Sequence, residues 1–159
     1  IMTWYGRGPQ ESYWDRKSGA AVGLYCGPVE EQTHLYVRPQ ENGNKTDVRW
    51  VALTNKEGVG LLVVGQPVLS VSAWPYTMQD LESAKHIHEL PRRDTITFNI
   101  DYKQMGVGGD NSWGARTHPE YTLPATKLYN YSFRLRPYTP AMGKMSDLVR
   151  SALPDVEAK

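Results

Sequence analysis

Cysteine is almost missing from this 159-residue sequence. Cys26 stands alone, which excludes an internal disulfide and any metal site built from several cysteines. A buried, inert thiol is the expectation for it. No apolar run approaches the roughly 20 residues that a membrane-spanning helix needs. Neither sign of charge is in excess. The 18 lysines and arginines against 17 aspartates and glutamates leave a net charge of +1, and the signs are scattered. The chain therefore carries no electrostatic footprint for nucleic acid or an anionic membrane. A basic n-region, an apolar h-region and a cleavage site are all lacking from Ile1-Met2-Thr3-Trp4-Tyr5, which reads as a strand already under way, so the chain is expected to be a piece of a larger protein. Its compartment stays open, with the cytoplasm favoured over the periplasm.

What is present points to one folded unit. Hydrophobic residues make up 40% and charged residues 22%, the balance of a globular domain rather than a disordered segment, and the length suits a single domain. Aromatic usage is skewed, with 10 tyrosines and 5 tryptophans against 2 phenylalanines. Tyr and Trp combine a flat apolar body with a polar handle, which suits a surface that meets sugars. It equally suits ordinary strand positions of a β-sandwich.

Alternation of apolar and polar residues dominates the chain. Tyr129, Tyr131, Phe133 and Leu135 fall on one face of a predicted half-buried strand over 128–136, 95–101 alternates likewise, and 47–53 starts with the same pattern before turning wholly apolar. Residues 60–65 and 68–73 predict two further strands separated by Gln66-Pro67, and Asn55-Lys56-Glu57-Gly58 supplies a hairpin turn before them. One internal helix is expected over 77–84, where Thr77 caps and Asp80 completes a capping box. Beyond Tyr138, Thr139-Pro140 breaks the strand pattern, and Leu148, Val149, Ala152 and Leu153 predict a short amphipathic helix. The expected organisation is a β-sandwich portion over 1–138 followed by a linker and tail helix over 139–159. The fold class is all-β, an antiparallel sandwich with one short internal helix.

Few constellations carry chemistry. A glycosidase needs two carboxyl groups about 5 to 5.5 Å apart when retaining, or roughly 6.5 to 9.5 Å when inverting. Glu11, Asp15, Glu41, Asp94, Asp101, Asp110 and Glu120 are available, but their spacing selects no pair. His86-Ile87-His88 would set two imidazoles on one side of a strand, with His34 or His118 as imaginable partners, yet no third metal ligand is specified. Ordinary hydrogen-bonded histidines after a helix are the simpler reading. The strongest local anomaly is Gly106-Val107-Gly108-Gly109-Asp110-Asn111-Ser112-Trp113-Gly114. Asn111 occupies the place of the third glycine of a nucleotide-binding loop and no helix pattern follows, which rules out that motif. The glycines permit close backbone approach, and the segment ends in an indole. That indole is either a plug over the domain's own core or a stacking platform for a ligand.

Four segments in order resemble the C-terminal region of the large β-galactosidases of glycoside hydrolase family 2. They are Gly6-Arg7-Gly8-Pro9-Gln10-Glu11-Ser12-Tyr13-Trp14-Asp15-Arg16, Val37-Arg38-Pro39-Gln40-Glu41-Asn42-Gly43-Asn44 leading to Arg49-Trp50, the stretch from Tyr76 to Leu90, and Gly106 to Gly114. The resemblance implies the second half of a large sandwich similar to galactose mutarotase. It places both catalytic glutamates, and the magnesium and sodium ligands, on a separate barrel absent from this sequence, so no catalytic residue and no cofactor is assigned here. One position carries over. Trp113 matches the family's Gly-Gly-x-x-Ser-Trp tryptophan and is thereby implied to stack on the bound sugar. The implied partners are the rest of a β-galactosidase chain or its large subunit, a galactoside substrate, and further copies in a homo-oligomer. Glu11, Asp15, Arg16, Glu41 and Arg49 are expected to be structural, fixing loops by charge-assisted hydrogen bonds. The alternative is an independent mutarotase-like or carbohydrate-binding domain, for which His86 or His88 with Glu120 would be the acid/base candidates.

Overall fold

The structure is a computed structural model that describes residues 1–152. Six strands form one open antiparallel sheet: β1 (Met2–Gly8), β2 (Ala21–Gly27), β3 (Lys45–Thr54), β4 (Gly60–Trp74), β5 (Thr97–Asp101) and β6 (Ser132–Tyr138). The order is β2-β1-β3-β4-β5, and β6 also pairs with β4. Strand β4 is long enough to hold two partners end to end on one edge. Gly60 to Gln66 pair with β6, and Ser70 to Trp74 pair with β5. The all-β antiparallel fold is the one expected, and an open sheet is consistent with one layer of a sandwich.

The wholly apolar stretches of β3 and β4 have a simple cause, because neighbouring residues point to opposite faces of the sheet and both faces are covered there. Val51 and Val63 join Met2, Trp4, Val48, Leu69, Val71 and Ala73 in one core, which Val29 closes from a short 3-10 turn. Trp50, Ala52 and Leu62 face the other way and meet Tyr138. A one-turn helix, α2 (Met145–Leu148), lays Met145, Leu148 and Val149 on that second face. The tail helix expected from 146 to 153 is thus short and docked, and Leu153 lies outside the described residues.

Several local expectations hold. Helix α1 (Met78–Ser83) begins at Thr77, whose hydroxyl accepts the Asp80 N–H at 3.1 Å while the Asp80 carboxylate accepts the Thr77 N–H at 2.8 Å. In the β3–β4 hairpin the Asn55 side chain accepts the Glu57 and Val59 N–H groups, and Gly58 takes a φ of +78° that favours glycine. Other expectations need correction. Residues 60–65 and 68–73 are not two strands but parts of β4; Pro67 has no N–H for a ladder and sits where the β3 register shifts between Val48–Leu69 and Trp50–Val64. Strand β2 was not anticipated, because glycines interrupt its apolar pattern. It forms the outer strand of the sheet, and Cys26 on it is exposed rather than buried. Tyr129, Tyr131, Phe133 and Leu135 are exposed as well. Leu135 pairs with Val63 and Phe133 with Gly65, so these two share the Val63 side of the sheet, and Tyr131 packs beside Phe133.

Candidate functional site

The loop between β5 and β6 carries the glycine-rich segment, and it is tied down from two sides. Asp15 reaches it from the loop after β1, 92 residues earlier in the chain, where its carboxylate accepts the Val107 N–H at 3.0 Å and the Gly108 N–H at 2.7 Å. The Gly106 N–H donates to the Tyr121 carbonyl at 2.8 Å, and the Thr117 hydroxyl donates to the Gly106 carbonyl at 3.0 Å. Glycine is required by space here. A Cβ on Gly106 would lie 2.7 Å from Asp15 Cγ, and one on Gly109 would lie 2.2 Å from the Ala115 carbonyl oxygen. Further out, His118 Nε2 meets Asp110 Oδ1 at 2.7 Å, and the Asn111 side chain accepts the Trp113 N–H at 2.8 Å. Asp110, with Glu120 nearby, raises the pKa of His118, so the pairing favours the imidazolium form.

At the tip of this framework the Trp113 side chain is 94% exposed. It joins none of the three core clusters and is therefore no plug over this chain's own core. Its backbone is anchored while its indole face is open, which lets it stack on a flat apolar surface brought to it. Trp74 is the opposite case. It is fully buried beside Tyr76, and its Nε1–H donates to the Asn42 carbonyl at 2.8 Å.

The Asp15 loop is itself braced. Trp14 meets Tyr121 edge-on with centroids 5.8 Å apart, and Lys103 Nζ lies 3.7 Å from the Trp14 ring centroid. Behind it, Glu11 accepts hydrogen bonds from Arg16 (2.5 Å), Tyr36 (2.5 Å) and the Gly43 N–H (2.9 Å). Burial pushes the Glu11 carboxyl pKa up, but these donors outweigh it and the net shift is downward. Asp47 likewise holds Arg7 at 2.6 Å and Lys17 at 3.1 Å, Arg49 donates to the Asp47 carbonyl, and Glu41 accepts from Gln104 at 2.6 Å. Glu11, Asp15 and Glu41 tie separate loops together and Arg16 braces Glu11 within its own loop, as expected of them, whereas Arg49 bonds within β3 and lies over the Tyr5 ring rather than fixing a loop.

The histidines fall in three places, with His34 edge-on to Tyr36 at 4.5 Å between centroids and outside the group of His86, His88 and Glu89, and His118 beside Asp110. His86 and His88 sit at a 3-10 turn, Ile87–Glu89, rather than on a strand, because Lys85 and His86 donate to Glu89 and curl the chain. Their rings still stack, with centroids 5.5 Å apart. Neither is paired with Glu120, which faces His118, so the acid/base pairing considered for a free-standing mutarotase is not assembled here. The tie from Asp15 to the glycine loop was not legible in the sequence, because nothing local links positions so far apart.

Comparison with known proteins identifies the family. The family model of the β-galactosidase small chain matches residues 1–135. β-Galactosidase of Priestia megaterium is 54% identical over 136 residues, which is 86% of this chain and 13% of that protein. The Vibrio cholerae β-galactosidase is 42% identical over 136 residues, covering 85% of this chain and 12% of its own length. The enzyme of Lactobacillus delbrueckii subsp. bulgaricus is 40% identical over 134 residues, covering 84% and 13% respectively. The chain thus spans about one-eighth of the length of these relatives. By the match to its family model and by these identities, the chain belongs to the β-galactosidase small-chain family.

Proposed function

We propose that this chain is a non-catalytic C-terminal portion of a β-galactosidase that hydrolyses terminal β-D-galactosides with retention, and that Trp113 completes the sugar site of the assembled enzyme. The observation that carries the proposal is a fully presented indole on a loop whose base is fixed by Asp15, Tyr121 and Thr117. A hexose has an apolar face of matching width, and a preorganised platform loses little freedom on meeting it. The carboxylates of the chain support an accessory role, since Glu11, Asp15, Glu41 and Asp110 are engaged with neighbouring donors. The acid/base and nucleophile, together with magnesium and sodium, belong in this proposal to the part of the enzyme outside the chain, and no residue here is assigned to either ion. The exposed strip of Tyr102, Tyr129, Tyr131, Phe133 and Leu135 is then the surface that the remainder of the enzyme covers.

The test is the purified chain with a chromogenic β-galactoside and, separately, with free galactose. No hydrolysis and no saturable change in Trp fluorescence are expected from half a composite site. Turnover that survives removal of host β-galactosidase would overturn the accessory role. A saturable galactose response without turnover would instead favour an independent carbohydrate-binding domain, which the same exposed indole could serve.

A further inference from the structure

We infer that His86, His88 and Glu89 form a binding site for a divalent transition-metal ion of the zinc type. Among the described residues they are the one group of three or more potential ligands whose donor atoms, one from each side chain, all lie within 4.8 Å of one another. Zinc in a tetrahedral N/O site holds its ligands at about 2.0 to 2.2 Å, which sets those atoms roughly 3.4 Å apart. The remaining closure is little more than 1 Å. It needs only side-chain rotation, because all three residues are exposed and their rotamers are not locked by packing.

The backbone beneath them is fixed. Leu90 packs against the cluster of Trp74, Tyr76 and Leu81. The Glu89 N–H donates to the His86 carbonyl at 3.0 Å, and the Leu90 N–H donates to the Ile87 carbonyl at 3.1 Å. On the far side Arg93 grips Asp80 of helix α1 with two hydrogen bonds of 2.6 Å each, and its own N–H donates to the Pro75 carbonyl at 2.9 Å. The turn is therefore presented as a rigid platform, a condition for useful affinity at a surface site.

Two of the three ligands are already joined within the turn. Glu89 Oε2 accepts the Lys85 N–H at 2.7 Å, while Oε1 faces His86 Nδ1 at 3.0 Å. That accounts for His86 and Glu89 but not for His88, whose ring stacks on His86 at 5.5 Å with 17° between the planes. A neutral imidazole offers a nitrogen lone pair to a metal ion. An ion held by a His86 nitrogen and a Glu89 carboxylate oxygen would take its third ligand from a His88 nitrogen. Two imidazoles with one carboxylate suit zinc, nickel or copper rather than magnesium or calcium. Water fills the remaining positions.

Isothermal titration calorimetry of the whole 159-residue chain with Zn²⁺, in a buffer that does not bind metal, tests the site. One ion per chain is expected. His86→Ala and His88→Ala should each weaken binding by at least about tenfold and Glu89→Gln by about tenfold, while His118→Ala leaves it unchanged. Independently of any variant, Zn²⁺ should shift the ring resonances of His86 and His88 and leave those of His34 and His118 in place. The inference fails if no saturable binding occurs, if the double variant His86→Ala/His88→Ala binds as before, or if His34 or His118 moves instead.

Discussion

Two stretches of the chain use the same kind of residue in opposite ways. From Asn42 to Tyr76 the large aromatics and most β-branched residues of the strands are buried or half-buried, and polar groups among them are drawn in: Trp74 donates to the Asn42 carbonyl, and the Asn44 amide nitrogen donates to the Ser12 carbonyl at 2.8 Å, although Asn44 Oδ1 has no partner among the described residues. From Tyr102 to Leu135 the aromatics are no fewer, yet Trp113, Tyr129, Tyr131 and Phe133 are exposed. In that second stretch the rings touch one another, with Tyr102–Tyr131 and Tyr131–Phe133 centroids each 6.0 Å apart, but nothing among the described residues closes over them. The difference teaches that composition and alternation set which residues are apolar, while the presence of a covering layer decides which are core. The first stretch is covered within the described residues, and the second is not.

The sharpest way to break that contrast is a pair of truncations in the isolated chain. Trp74→Ala removes a fully buried side chain and its hydrogen bond, and a loss of about 3 to 5 kcal/mol is expected, read by calorimetry as a Tm lower by roughly 10 °C or more. Trp113→Ala should stay within about 0.5 kcal/mol of the unsubstituted protein. Equal losses would mean that the two indoles are not differently used.

The buried stretch also holds a charge that the exposed one would tolerate freely. Lys45 is buried, its Nζ lies 5.2 Å from the centroid of the Trp4 ring, and burial lowers its pKa from 10.5 to about 8 despite nearby Glu11. Because the native state gives up this proton first, stability should climb as pH rises from about 8 to 10.5, the window in which only the unfolded chain still binds it. Lys45→Met should raise stability at pH 7 by on the order of 2 kcal/mol and flatten the alkaline climb. Urea midpoints at pH 7 and pH 10 check both.

On the exposed side the expected effects are smaller. Asp15→Asn keeps the side-chain volume but trades a carboxylate for a neutral acceptor, which should cost the loop about 1 to 2 kcal/mol. Amide exchange of Val107 and Gly108 should then quicken by about 5-fold to 30-fold, with the Trp74 core unmoved. The smallest effect is the outer tie. Asp110 raises the His118 pKa, so the charged pair is fully formed below the ordinary histidine range and is lost as pH rises through the raised value. Limited proteolysis of the loop should speed up across that range, and His118→Gln should abolish the step.

Legibility in the sequence followed the range of the interactions concerned. The capping box of Thr77 and Asp80 and the hairpin at Asn55 to Gly58 were readable because each is complete within a few residues. The central strands were readable as apolar runs, since both faces of the sheet are covered there. Strand β2 was obscured by Gly23 and Gly27, and the exposure of Cys26 follows from its place on the outer strand, which only the topology reveals. The Leu135 face looked half-buried because alternation reports polarity and not coverage. Trp113 could be singled out from its glycine-rich setting. What holds its loop could not, since Asp15 and Gly108 come together only through the tertiary fold.

The most direct test of the role proposed for the exposed stretch is steady-state kinetics, with a chromogenic β-galactoside, of the full-length protein carrying Trp113→Leu. Leucine keeps apolar volume but not the broad flat face, whose contribution beyond simple burial is about 0.5 to 1.5 kcal/mol. If the indole stacks on the sugar in ground and transition states alike, KM should rise about threefold to tenfold with kcat little changed. An unchanged KM in a correctly folded enzyme would contradict the placement of Trp113 in the sugar site.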